Sequence, residues 1–136
     1  LYEPMALDYV LQDENENVIL GSDATFSGDE VFIQTNSEGR LEKMSKDEIN
    51  LTQISGELVG ISKLTVEALA SMVSFAQQQY DENNFQIHYE DAMVGISKVV
   101  PLEVKVVEDM AWCEIDDPSH LQRALSIVYP KIISRS

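Results

Sequence analysis

The chain has 136 residues, 44% of them apolar, with 24 acidic side chains against 9 basic ones for a formal net charge of −15. That length fits one domain with a real core, and the apolar content excludes a disordered tail. The acidic balance argues against nucleic-acid binding, which needs a basic surface to release counterions, and no apolar run is long enough to span a bilayer. No segment has the order of a secretory signal, and the single cysteine, Cys113, forms neither an internal disulfide nor a zinc site, so a cytoplasmic protein without nucleic-acid or membrane partners is expected.

Pro4 to Gln12 reads as a helix with proline in its first turn. After the polar break at Asp13 to Asn17, Val18 to Leu20 reads as a buried strand ended by Gly21, Ser22 and Asp23. Glu30 to Thr35 is a second strand, Asn36 to Gly39 a turn, and Arg40 to Met44 the returning arm of a hairpin. Glu57 to Leu64 is a strand interrupted by Gly60. Thr65 offers an N-cap to a helix running to about Tyr80, whose stripe Val66, Leu69, Val73, Ala76 and Tyr80 is expected in the core. Ile87 to Ser97 forms a further helix, weakened by Gly95.

Leu102, Val104 and Val106 alternate as a strand with one buried face. Ala111 to Ile115 is expected as a short last strand. Asp117 then caps a helix with Pro118 at its first position and Leu121, Ala124, Leu125 and Val128 on its buried side, ended or bent by Pro130. Strands and helices alternate throughout, which predicts a single α/β domain over residues 1–136 with a mixed sheet.

The stretch Trp112 to Leu121 concentrates the chemistry. Glu114, Asp116 and Asp117 end an apolar run beside a helix start, and carboxylates so placed cap the helix or hold a cation. Capping accounts for Asp117, while Glu114 stays open between plain exposure and a part in the site. Asp116 is the first candidate for Mg²⁺, which takes one or two carboxylates along with substrate phosphates, but the spacing alone does not select it, since most strand-end acids are not ligands. Lys46 and Lys63 are each suited to a phosphate or to plain solvation. Glu57, opening an apolar strand, suits sugar hydroxyls, a cationic group, or the protection of a sheet edge. His88 and His120 are far apart, Cys113 and Ser22 have no histidine partner, and no Gly-rich phosphate loop is present.

The segments SGELVGISKLT (Ser55 to Thr65), HYEDAM (His88 to Met93) and AWCEIDDPSHLQRA (Ala111 to Ala124), with the opening LYEP, together resemble the C-terminal half of small nucleotidyltransferases. The nearest type is the cytidylyltransferase acting on phosphocholine or 2-aminoethylphosphonate, also found fused to phosphoenolpyruvate mutase. The resemblance implies a partial Rossmann-like α/β/α sandwich with a mixed sheet, CTP and a small phosphate or phosphonate acceptor as partners, and Mg²⁺ as cofactor. It assigns Asp116 to the second metal-binding aspartate, Lys46 to the acceptor or α-phosphate, Glu57 to the acceptor's polar head, and Glu90 and Asp91 to a helix facing the same pocket.

The Gly-rich loop, its basic residues and the first metal aspartate of that family have no counterpart within these residues. The implied function is therefore the C-terminal part of a Mg²⁺-dependent cytidylyltransferase, inactive by itself. A non-catalytic acidic interaction module built on the half-fold is the alternative. Either reading leaves strand edges without neighbours and predicts self-association, most simply as a homo-oligomer.

Overall fold

The computed structural model describes residues 1–135. Its centre is a five-stranded mixed sheet in the order β3-β2-β4-β1-β5, with β1 at Val18–Ser22, β2 at Phe32–Thr35, β3 at Leu41–Ser45, β4 at Gly56–Lys63 and β5 at Glu103–Val107. β1 runs parallel to β5 in an unbroken register from Val18↔Glu103 to Ser22↔Val107, and antiparallel to β4. β2 pairs antiparallel with both β3 and β4.

β1 is buried at every position, as a run of apolar residues in the middle of a two-faced sheet should be. Its side chains alternate between two cores. Ile19 joins Ile33, Leu58 and Leu102 beneath helices α2 (Val66–Asp81) and α3 (Tyr89–Ile96). Val18 and Leu20 join Val59 and Trp112 beneath α1 (Met5–Leu11). The result is the expected α/β/α arrangement. A third cluster, Ala111, Cys113, Ala124, Val128 and Ile132, seats the C-terminal helical segments.

Three expectations are corrected. The stripe Val66, Leu69, Val73 and Tyr80 is not core: these residues are 79, 53, 63 and 43% exposed, and α2 packs inward through Ala68 and Met72 instead. Ala111 to Ile115 forms no strand, only an isolated bridge between Trp112 and Tyr2. The backbone is held there by the N-terminal segment, through Glu3 N–H to Ala111 O and Cys113 N–H to Leu1 O.

In the last helical region Ala124 and Val128 are buried as expected, but Leu121 and Leu125 are exposed. α4 (Pro118–Arg123) passes into a wider π-helical turn at Ala124–Val128 and then α5 (Tyr129–Ser134). Pro130 therefore does not end the helix. The π turn directly before it changes the hydrogen-bond spacing where proline has no N–H to return. No helix of the described residues is long and apolar enough to cross a membrane.

A candidate carboxylate site

The loop after β1 builds the site. It is drawn over the sheet at Thr25, whose N–H donates to Glu57 Oε2 at 2.9 Å and whose carbonyl accepts from Arg123 Nη2 of α4 at 3.2 Å. A turn through Gly28, at φ 94°, follows, with Glu30 accepting from the Gly28 N–H at 2.9 Å. Positive φ favours glycine, which has no Cβ to clash. This path brings Asp29 across to Glu114 and Asp116, and one carboxylate oxygen from each of the three lies within 4.8 Å of the other two.

Lys46, just past the end of β3, donates to Asp29 at 2.6 Å. Its ammonium pKa is pushed up by the hydrogen bond to Asp29, assisted by the charges of that residue, Glu114 and Glu90. The Glu114 carboxyl is also pushed above its usual range, first by partial desolvation and then by repulsion from Asp116 and Asp29.

Glu57 and Glu90 belong to the pocket behind this cluster, along with Tyr89, Cys113 and Arg123. Glu57 is 3% exposed and lies on β4, a strand with neighbours on both sides at this point, so it guards no sheet edge. Burial raises its carboxyl pKa, against the lowering effect of the bond from Thr25. Glu90, in the first turn of α3, has a buried Oε2 with no hydrogen-bond partner among the described residues. A carboxylate oxygen in that state calls for a donor or cation.

Of the residues expected from sequence, Lys46, Glu57, Glu90 and Asp116 are thus gathered around one region. Asp91 is turned to a different task. It accepts from the His88 N–H at 2.8 Å at the start of α3 and lines a neighbouring depression with Lys46 and Met44. Lys63 is held away by donating to Asp13 O at 2.7 Å. Asp117 caps α4, accepting from the His120 N–H at 2.8 Å. Asp29 joins the site without any local motif to announce it, its only sequence signal being that it follows a glycine in a loop between two strands; Arg123 joins it from within the Ala111 to Ala124 segment, where the sequence reading did not single it out.

The donor chemistry fits Mg²⁺. The three carboxylates offer oxygen ligands only and are exposed, a donor set suited to a hard cation that keeps part of its water shell. Asp29, Glu114 and Asp116 are the residues that would hold it.

No family model matches this sequence. Among solved structures, the chain resembles the inositol-1-phosphate CTP transferase from T. maritima with a TM-score of 0.69 at 19% identity, over 97% of this chain and 52% of that one. It also resembles the CTP:phosphocholine cytidylyltransferase from Streptococcus pneumoniae with a TM-score of 0.58 at 19% identity, over 83% of this chain and 48% of that one. The chain spans about half the length of each. The likeness lies in the fold: a mixed α/β sheet with helices, corresponding to about half of a nucleotidyltransferase.

Proposed function

We propose that this chain is the C-terminal, acceptor-side part of a Mg²⁺-dependent cytidylyltransferase. The reaction transfers CMP from CTP to the phosphate or phosphonate of a small acceptor of the phosphocholine or aminoethylphosphonate kind. An acceptor oxygen forms a bond to the α-phosphorus of CTP as the bond from that phosphorus to the bridging oxygen breaks, and pyrophosphate leaves with the electron pair. Protein groups contribute chiefly by positioning and by neutralising charge.

In this reading Asp116, with Glu114 and Asp29, holds the metal ion, which supplies charge neutralisation on phosphate oxygens. Lys46 turns from Asp29 to an anionic oxygen of the acceptor or of the α-phosphate. Glu57 and Glu90 line the pocket behind and present carboxylates to the acceptor's polar or cationic head. Arg123 fixes the loop that carries Asp29. The observation carrying this reading is the meeting of Asp29, Glu114 and Asp116 from distant segments, at the mouth of a pocket containing Glu57 and Glu90.

Mn²⁺ serves as a spectroscopic probe of the ion. Titration followed by electron paramagnetic resonance should show one site on the wild-type chain, weakened at least about tenfold in Asp116→Asn, a loss of about 1.4 kcal/mol. In a protein joining this chain to a nucleotide-binding portion, phosphorus NMR should show CMP transfer that Asp116→Ala abolishes; full retained activity would defeat the assignment. The alternative, a non-catalytic acidic interaction module, draws on the exposed apolar residues of α2 and predicts no saturable Mn²⁺ site.

A further inference from the structure

Helix α2 turns an apolar seam outward. Val66, Leu69, Val73, Ala76 and Tyr80 recur along it at alternating steps of three and four residues. All but the half-buried Ala76 are exposed, because α2 packs inward through Ala68 and Met72 and meets α3 through Phe75, which lies over Gly95. A strict three-and-four repeat is the narrow seam of a helix pair, whereas a helix facing a core carries a broader stripe. The seam is also held in shape. Tyr80 is stacked on Phe85 with ring centroids 5.9 Å apart, and Leu69, Val73 and Tyr80 line a groove of about 270 Å³ together with Ile87 and Tyr89.

The borders of the seam select the kind of helix it meets. On an α-helix Ala70 and Gln77 flank it on one side and Met72 and Gln79 on the other, so no charge stands along it. The nearest acids, Glu67 and Asp81, stand at its two ends. A basic partner would be selected by acids along the borders, and this chain of net −15 places none there. The seam is also complementary to itself. Laid antiparallel across a two-fold axis at Val73, it sets Val66 against the Tyr80 of a second copy, Leu69 against its Ala76, and Val73 against its counterpart. Each outer layer then joins a larger side chain to a smaller one. Parallel pairing would set alanine on alanine and tyrosine on tyrosine, leaving one layer thin and another overfilled.

We propose that α2 is a dimerisation helix, which pairs antiparallel with the α2 of a second copy of this chain about an axis at Val73. The contact is isologous, the same seam on both copies. With the exposed rings of Phe85 and Tyr89, the seam offers on the order of 500 Å² per copy, so a symmetric pair buries about 1,000 Å² in all, the least that a specific interface needs. That area fits a reversible dimer with a Kd of about 10–100 μM rather than an obligate one. The acidic charge outside the seam opposes the pair at long range, so salt strengthens the dimer by screening. The inference rests on α2 and its borders, and it stands whether or not the chain takes part in nucleotidyl transfer.

Sedimentation equilibrium of the intact chain should show a monomer–dimer equilibrium that tightens at least about threefold between about 50 and 500 mM salt. Val73→Glu sets two carboxylates face to face on the axis and should weaken the dimer at least about tenfold. Val73 is 63% exposed, so the circular dichroism spectrum should be unchanged. Ile127→Glu, at a residue 60% exposed in the C-terminal π-helical turn, should leave the dimer intact. Nitroxide labels report the orientation. Attached at Ser74→Cys they lie beside the axis, whereas at Asp81→Cys, eight residues from Val73, they stand about 24 Å apart along the helices. The proposal is overturned by a monomer at about 500 μM, by a dimer that Val73→Glu leaves unchanged or Ile127→Glu weakens equally, by a dimer that salt weakens, or by equal label separations at the two positions.

Discussion

Gly95→Ala probes how α3 is seated, and with it the placement of Glu90 and Tyr89 in that helix's first turn. Intrinsic propensity favours alanine over glycine in a helix interior by about 1 kcal/mol. At position 95 the added Cβ would lie 2.5 Å from Cζ and 2.7 Å from Cδ2 of Phe75. Comfortable carbon contact is about 3.5 Å, so ring and helix must part by about 1 Å. The clash is with an aromatic ring packed against the α2/α3 core, which has little freedom to turn aside. Overpacking of this kind costs about 1–3 kcal/mol and outweighs the gain in propensity. The net loss is about 1 kcal/mol, which for a chain of this size lowers Tm by about 3–5 °C.

Urea unfolding followed by circular dichroism measures the effect, and Phe75→Leu supplies the control. In the Phe75→Leu background the ring is gone, so Gly95→Ala should turn stabilising. A Gly95→Ala variant more stable than wild type, or an equal effect in both backgrounds, would refute the packing argument.

Glu57 is held above the ordinary carboxylate range by burial, so the folded state binds its proton more tightly than the unfolded state does. Ionisation of this group therefore opposes folding above the unfolded-state pKa, and the penalty is relieved as pH falls through the raised folded value. Glu57→Gln keeps an acceptor for the Thr25 N–H; it should be more stable than wild type in urea at pH 7, with the advantage closing on acidification, and lower stability at pH 7 would contradict this. Asp117→Ala removes the N-cap of α4 and should cost about 1 kcal/mol while leaving Mn²⁺ affinity unchanged, whereas Asp116→Asn should do the reverse. Lys46→Met frees Asp29 from an exposed ion pair worth about 0.2–1 kcal/mol and should tighten Mn²⁺ binding by about two- to fivefold; weaker binding would mean that Lys46 helps to assemble the carboxylates rather than competing with the cation.

What is legible in the sequence is local. The caps at Thr65 and Asp117, the hairpin turn at Asn36 to Gly39 and the apolar run of β1 depend on neighbours a few residues away. The helical period of α2 is legible too, but the side it buries is not. Val66, Leu69, Val73 and Tyr80 form the larger apolar stripe, yet the smaller one led by Ala68 and Met72 faces the sheet. Periodicity identifies an apolar face without saying what covers it. The close approach of α2 and α3 rests on small contacts, with Gly95 beneath Phe75, and the glycine that reads as a flaw in a helix is a packing requirement.

The site shows the same division at longer range. Asp116, Glu57 and Glu90 are visible because they sit in segments resembling a known family, and Lys46 through a looser match just after the central hairpin. Asp29 has no such setting. Its carboxylate reaches Glu114 and Asp116 because Glu57 and Arg123 both grip Thr25, which aims the loop across the sheet. That makes Glu57 part of the frame as well as part of the pocket. Its side chain holds a backbone N–H from below, and one oxygen, Oε2, is already taken. An acceptor head can use only what remains of that carboxylate, so Glu90, with its unpartnered Oε2, is the better placed of the two to meet a cationic group directly.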